Sequence, residues 1–133
     1  MSMPQLRCLT VTIALALMIG CGSRQSLVVT TIQLGRALNS DSTVAGFTTT
    51  FRPDDTVYLS VLTNGAGSAT ISVRWLYGGR VIDEPKKQVS YKMAAATDFR
   101  LQSPSGFPIG EYTAEVFLNG QSIATRTFRV DTR

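Results

Sequence analysis

The sequence predicts an all-β domain, an antiparallel β-sandwich, behind an apolar N-terminal segment. Short β-branched or alternating apolar segments recur along the chain and are separated by turn residues. No stretch beyond the first twenty residues keeps a helical period over eleven or more positions. Gly-Gly and Asn-Gly pairs stand between neighbouring apolar segments, as in two-residue hairpins. The length of 133 residues allows one such domain.

The N-terminal segment has the pattern of a cleaved targeting signal. Arg7 precedes an uncharged and mainly apolar stretch, Cys8–Ile19. This stretch is shorter than the ~20 apolar residues that a membrane-spanning helix needs, and it fits the apolar region of a signal peptide. We therefore predict a helical signal peptide over residues 1–20.

The end of this segment resembles the lipobox of bacterial lipoproteins. Ile19, Gly20 and Cys21 fit that pattern, whereas Met18 departs from the more usual Leu. The resemblance implies cleavage after Gly20, with a diacylglycerol and an acyl chain on Cys21 as the only attached groups and no other cofactor. A thiolate is the best nucleophile among side chains, and stable anchoring needs more than one acyl chain. The alternatives are an ordinary secretory signal and an uncleaved anchor.

The predicted domain organisation follows from this cleavage. Residues 1–20 are the signal peptide, residues 21–26 a polar tether that begins with the lipidated Cys21, and residues 27–133 the folded domain. The five residues 22–26 span at most ~18 Å, so the domain is expected close to the membrane. The residue after Cys21 is Gly22. In enterobacteria-like sorting, the absence of Asp at this position favours the outer membrane, with the domain facing the periplasm. Cys8 leaves with the signal, so the mature domain has no disulfide.

Turn residues divide the first half of the domain into three strands. They are predicted at Leu27–Leu34, Thr43–Phe51 and Thr56–Thr63. The segment 35–42 reads as a polar connection. The segment 52–55 reads as a turn, since Pro presets φ and Asp bonds nearby amides.

The second half holds the remaining strands, so that the domain is predicted to have about eight or nine in all. Gly78-Gly79 and Asn119-Gly120 are the strongest hairpin signals, and residues 103–110 form a long turn. The predicted strands are Ala69–Tyr77, Arg80–Asp83, Gln88–Met93, Thr97–Leu101, Glu111–Leu118 and Gln121–Val130. Such spacing is typical of a β-sandwich.

The order of these segments is similar to that of immunoglobulin-like and fibronectin-like sandwiches. Trp75 stands where the core tryptophan of strand C lies, and Val61 stands near the position of the first disulfide cysteine. Tyr112 resembles the tyrosine corner, two residues before Ala114 at the second cysteine position. Both cysteines are absent, which implies a sandwich without the bridge. The resemblance assigns Trp75 and Tyr112 to the structural core and says little about function.

Composition weighs against catalysis and nucleic-acid binding. The chain has no histidine, the commonest general base and metal ligand, and after processing it has no free thiol. Asp54-Asp55 and Asp83-Glu84 are adjacent acidic pairs, but neighbours on a strand point to opposite faces, so we interpret them as turn residues and predict no metal site. The net charge of +4 is dispersed, unlike the clustered bases of nucleic-acid binders.

Four residues of the middle hairpin region are candidate contacts for a ligand or partner. Tyr77 lies near a strand end, where an aromatic ring can be exposed, and Arg80, Lys86 and Lys87 follow it. They could form a basic rim, or they could simply guard a strand edge, as lysines often do. We therefore expect a non-catalytic, lipid-anchored envelope module that binds an envelope protein. The alternative is a module that binds a glycan or an anionic envelope polymer.

Overall fold

The structure, a computed structural model, describes residues 26–132, and these form ten β-strands in two sheets. The strands are β1 Val28–Leu38, β2 Val44–Phe47, β3 Thr50–Phe51, β4 Val57–Asn64, β5 Gly67–Tyr77, β6 Arg80–Asp83, β7 Lys86–Tyr91, β8 Ala95–Leu101, β9 Gly110–Leu118 and β10 Gln121–Val130. The predicted all-β sandwich is confirmed. The predicted signal peptide and its helix lie outside the described residues. Residues 26–132 contain no helix long and apolar enough to cross a membrane.

The two sheets pack face to face around one apolar core. The first sheet has the order β2-β1-β4-β8. The second has the order β3-β10-β9-β5-β6. β7 also pairs with β5, on the same edge as β6 but along the first half of β5. Every pairing is antiparallel except that of β3 with β10, which is parallel. Alternate residues of the central strands point inward, as the strand period of two requires. The largest fully buried side chains are Trp75, Tyr112, Phe51, Phe99, Leu59 and Ile71.

The hairpins form where their sequences demand positive φ. Gly78 and Gly79 have φ of 55° and 78°, and Asn119 and Gly120 have φ of 51° and 81°. These are the two central positions of each turn, where glycine and asparagine carry the least steric penalty. Asn119 also accepts a hydrogen bond from the backbone N–H of Thr70 at 2.9 Å, which ties this turn to β5.

The segment predicted as one strand, Thr43–Phe51, is divided between the two sheets. β2 pairs with β1 in the first sheet and β3 with β10 in the second. Between them the Thr48 hydroxyl bonds both the N–H and the carbonyl oxygen of Thr50, at 3.0 and 2.9 Å. Such local bonds compete with a strand ladder. The chain therefore changes sheets here, a step that alternation of residue types does not predict.

The segment 35–42, predicted as a polar connection, is strand up to Leu38. Its residues pair with β2, Ala37 with Ala45 and Leu38 with Val44, so only residues 39–43 form the turn. The turn folds over the outer face of the first sheet, where the Ser42 carbonyl accepts a hydrogen bond from the buried Ser60 hydroxyl at 2.8 Å. The predicted strand bounds also shift at β7, which begins directly after Pro85 rather than at Gln88.

Candidate contact site at the open edge of the sandwich

A series of aromatic rings runs from the middle of the core to one edge of the sandwich. The ring of Trp75 meets that of Phe128 edge-on at 5.9 Å, and Phe128 stacks on Tyr112 at 5.2 Å. Tyr112 in turn meets Phe107 edge-on at 5.9 Å and Tyr77 at 4.6 Å. Trp75 and Tyr112 are fully buried, at the core positions that the sequence assigns to them. The series ends at Tyr77, which is half-buried.

The two tyrosines at the end of this series hold the loop between β8 and β9. The Tyr112 hydroxyl donates to the Pro108 carbonyl at 2.6 Å, and the Tyr77 hydroxyl donates to the Ile109 carbonyl at 2.9 Å. Burial of the Tyr112 hydroxyl, and to a lesser degree the neighbouring Tyr77, raises the pKa of Tyr112 above its ordinary value. Gly110 lies against Tyr77, and a side chain there would stand 3.1 Å from the ring. Tyr77 therefore positions the loop rather than standing free as an exposed aromatic.

A cleft of ≈ 280 Å³ opens beside these tyrosines, between the edges of the two sheets. Tyr77, Tyr112 and Phe107 form its aromatic wall, Leu101 at the end of β8 closes the other side, and Ile82 of β6 lies at the cleft. Ile82 is 42% exposed and lies next to the aromatic wall, so it extends the apolar surface of the cleft to solvent. The cleft therefore offers a ligand a mainly apolar surface, with the polar residues Asp83, Gln102 and Ser103 also in its lining.

The strand that carries Ile82 is an edge strand. All four residues of β6 are exposed, and within residues 26–132 this strand pairs only with β5. Its outward row of N–H and carbonyl groups is available to another chain. Ile82 was not among the residues predicted from the sequence, although Val81-Ile82 gives a signal. Two adjacent apolar residues in a short strand must place one of them on each face.

The structure brings Arg80 next to Tyr77 but does not gather the basic residues into one rim. Arg80 pairs with Tyr77 on β5, whereas Lys86 pairs with Ser72. Ser72 and Tyr77 are five positions apart on one strand, a distance of about 16 Å. Within residues 26–132, neither Arg80 nor Lys86 forms an ion pair.

Lys87 has a separate structural role, because its side chain crosses to the first sheet. Its Nζ donates to the backbone carbonyl of Asp98 and lies 3.9 Å from the Asp98 carboxylate. It also lies 5.1 Å from the centre of the Phe99 ring, within range of a cation–π contact. Lys87 thus covers part of the exposed edge of β8.

Three of the four residues in the two acidic pairs, Asp55, Asp83 and Glu84, make side-chain contacts within the domain. Asp55 accepts hydrogen bonds from the Arg36 guanidinium at 3.1 Å and from the Arg52 backbone at 2.8 Å. Asp83 accepts from the backbone N–H of Glu84 at 2.9 Å, and Glu84 pairs with Arg74 at 3.1 Å. In the described part of the chain no three His, Cys, Asp or Glu side chains group as metal ligands would. Gly20 and Cys21 lie outside the described residues.

Comparison with known proteins identifies the fold alone. No family model matches the chain, and no curated protein matches it. The chain is similar to an immunoglobulin-like protein from Pseudomonas aeruginosa, with 16% identity, 83% of this chain and 100% of that chain covered, and a TM-score of 0.57. It also matches a β-D-glucoside glucohydrolase from Trichoderma reesei with 13% identity and a TM-score of 0.46, over 80% of this chain and 19% of that one. The described domain is an immunoglobulin-like β-sandwich without a disulfide.

Proposed function

We propose that the chain is a lipid-anchored lipoprotein of the cell envelope, with its immunoglobulin-like domain acting as a non-catalytic interaction or accessory module. Cys21 carries a diacylglycerol and an acyl chain, and the domain sits at the outer membrane, facing the periplasm. The lipobox residues Ile19, Gly20 and Cys21 support the anchor. The cleft beside Ile82 is the observation that carries the interaction role, because it joins an apolar surface to an unpaired strand edge.

The anchor is tested by metabolic labelling with palmitate. Cys21→Ser is expected to abolish labelling and to leave an unprocessed precursor. Cys8→Ser is the matched control, because Cys8 lies in the signal peptide and its loss leaves the lipobox intact. Labelling that persists in Cys21→Ser, or that is lost in Cys8→Ser alone, would refute the lipobox assignment.

The partner that fits the cleft is an extended segment of another envelope protein. Such a segment can add to β6 through main-chain hydrogen bonds, while one of its apolar side chains enters the cleft. Strand addition uses the unpaired edge of Arg80–Asp83, and the aromatic wall of Tyr77 and Phe107 supplies the apolar contact.

The contact surface is tested by affinity capture of the full lipoprotein from detergent-solubilised envelopes after cross-linking. Ile82→Glu places a charge in the apolar cleft and is expected to lower recovery of the captured protein at least tenfold. Ile123→Glu is the matched control, since Ile123 has a similar exposure of 38% but lies on β10. Equal recovery with both variants would contradict a contact at this cleft.

A glycan or anionic envelope polymer is the alternative ligand, and it has less support. Its expected contacts, Tyr77 and the basic residues, do not form one surface, since Tyr77 is stacked on Tyr112 and Lys86 lies about 16 Å along the sheet from Arg80. This alternative would be favoured if the purified domain is retained on peptidoglycan or lipopolysaccharide and Arg80→Ala abolishes that retention. The affinity capture should then recover no protein partner.

A further inference from the structure

We infer that the end of the sandwich carrying Met93 rests on the bilayer, so that the domain stands upright with the cleft turned away from the membrane. This inference rests on the proposed lipid anchor on Cys21. It adds the orientation of the domain and the residues that touch lipid. We call this end the anchor-proximal end, and we define it as residues 26–28, 64–67, 92–94 and 119–120.

The tether enters the domain at this end. β1 begins at Val28, which pairs with Asn64 at the end of β4. The chain just before β1 lies against the following turn, because a side chain on Gly65 would stand 2.8 Å from the Ser26 carbonyl oxygen. Leu27 is buried, so the chain is fixed to the domain from that residue onward. The five residues 22–26 then hold the lipid on Cys21 within ~18 Å of this end.

The anchor-proximal end carries two of the three most exposed large apolar side chains of the described domain; the third, Phe47 at 66%, lies on β2 away from this end. Among the large hydrophobic residues that are exposed, Met93 ranks first at 74%, and Val28 is 59% exposed. Ala94, next to Met93, is exposed as well. An unbranched Met side chain adapts easily to an irregular surface, and at a bilayer it can enter the boundary between headgroups and acyl chains.

The one charged residue of the anchor-proximal end, Lys92, is basic. Lys92 is exposed beside Met93, and its long stem allows the ammonium group to reach a lipid phosphate while neighbouring apolar atoms enter the interface. The four segments of the anchor-proximal end contain no acidic residue. Asp41 borders this end, in a cleft on the outer face of the first sheet with Asn64 and Ala94. There Thr43 donates to its carboxylate through both its hydroxyl and its backbone N–H.

The cleft beside Ile82 lies at the opposite end. Tyr77 is the last residue of β5, whose first residue, Gly67, belongs to the anchor-proximal end. The eleven residues of β5 place these two ends about 33 Å apart. A domain resting on Met93 therefore presents its contact cleft to the envelope space, out of the headgroup layer.

The orientation is tested with the full lipoprotein, purified from membranes and reconstituted into vesicles of phosphatidylethanolamine and phosphatidylglycerol. Because Cys21 is acylated, a cysteine introduced as Met93→Cys is the one free thiol to label with the fluorophore NBD. Ser105→Cys, in the exposed loop between β8 and β9, is the matched control. At position 93 we expect blue-shifted emission, quenching by doxyl-labelled lipid and at least threefold protection from iodide, with none of these at position 105.

The two ways of failing are distinguishable. Protein that floats with the vesicles but shows equal iodide access at positions 93 and 105 overturns the orientation and leaves the lipid anchor standing. If the protein does not float with the vesicles, and its measured mass lacks the diacylglycerol and acyl chain, the anchor is overturned and this inference with it. A second measurement uses a label at Ala66→Cys, which is also expected to be protected from iodide. Adding Met93→Glu is expected to expose this label to iodide, and unchanged protection would contradict a contact through Met93.

Discussion

Tyr77 and Tyr112 face each other on neighbouring strands, with their ring centres 4.6 Å apart and their hydroxyls bound to consecutive carbonyls of one loop. The Tyr112 hydroxyl bonds Pro108 from inside the core, and the Tyr77 hydroxyl bonds Ile109 from the edge. The pair thus connects the core of the sandwich to the wall of the candidate contact site. Changes in this pair are expected to affect both stability and the shape of the cleft.

The pH dependence of stability is expected to report on Tyr112. Its pKa is raised in the folded state, so the folded protein binds the phenolic proton more tightly than the unfolded chain does. The resulting stability is complete below the unfolded pKa of about 10 and is lost as the pH rises through the folded pKa above it. Urea unfolding between pH 8 and pH 11 measures this effect.

The control for this measurement is Tyr112→Phe. At pH 8 it is expected to lower the free energy of unfolding by about 1–2 kcal/mol, through loss of a hydrogen bond from a buried hydroxyl. Above pH 10 the difference from the wild type should shrink, because the wild type alone loses the contribution of Tyr112. A difference that stays constant from pH 8 to pH 11 would contradict the account. Tyr77→Phe, which removes the more exposed of the two bonds, should cost less at pH 8.

Substitutions of Trp75 are expected to separate the packing of its ring from the cost of its unpaired buried N–H. Trp75 is fully buried, and its indole N–H has no partner among the described residues. Trp75→Ala should therefore cost about 3–5 kcal/mol through a large cavity. Trp75→Phe should cost about 1–2 kcal/mol, since it removes an unsatisfied donor together with part of the ring. Chemical denaturation followed by circular dichroism checks both values, and equal losses would contradict the separation.

Gly35 is expected to be essential for the packing of the β1–β2 hairpin. A side chain there would stand 2.3 Å from a methyl carbon of Val44 and 2.7 Å from the Gly46 carbonyl oxygen. Gly35→Ala should cost about 2 kcal/mol through overpacking. Val44→Ala in the same chain should recover part of that loss, because it removes the methyl group but leaves the carbonyl. A double-mutant cycle measures the coupling, and strictly additive effects would show that the two residues do not interact.

Lys87 is expected to limit self-association through the edge of β8. Its ammonium group covers the Asp98 carbonyl, which otherwise offers an unpaired acceptor to another strand. Lys87→Ala should increase the apparent mass in sedimentation experiments at high protein concentration and change stability by less than about 1 kcal/mol. Lys86→Ala is the matched control, since Lys86 forms no ion pair among the described residues. Equal association of the two variants would contradict the protective role.

Local signals in the sequence were sufficient for the fold class and for most turns. The alternation of Ile71, Val73 and Trp75 predicts an inward face at a period of two residues, and that face is buried. The Gly78-Gly79 and Asn119-Gly120 turns follow from the backbone angles that these residues adopt at low cost. Such features depend on neighbours along the chain and can be read without knowing the fold.

The candidate site depends on contacts between residues far apart in sequence. Tyr77 contacts the loop at Ile109, thirty-two residues away. Because of that contact, the aromatic ring that the sequence predicts as exposed is half-buried and forms part of the wall of a cleft. Lys87 reaches Asp98 on the other sheet, which separates it from Arg80 and Lys86. Strand order and register decide these relationships, and hydrophobic alternation fixes only which face of each strand is buried.

The sequence by itself therefore determined a β-sandwich with Trp75 and Tyr112 in its core, and it supplied the lipobox at Cys21 that remains a prediction. Only the tertiary structure decided that residues 43–51 divide between two sheets, that Ile82 lies beside the aromatic wall, and that Met93 shares an end with the start of β1. The physical reason is that residue type sets local backbone angles and burial, whereas pairing between distant strands sets which side chains become neighbours.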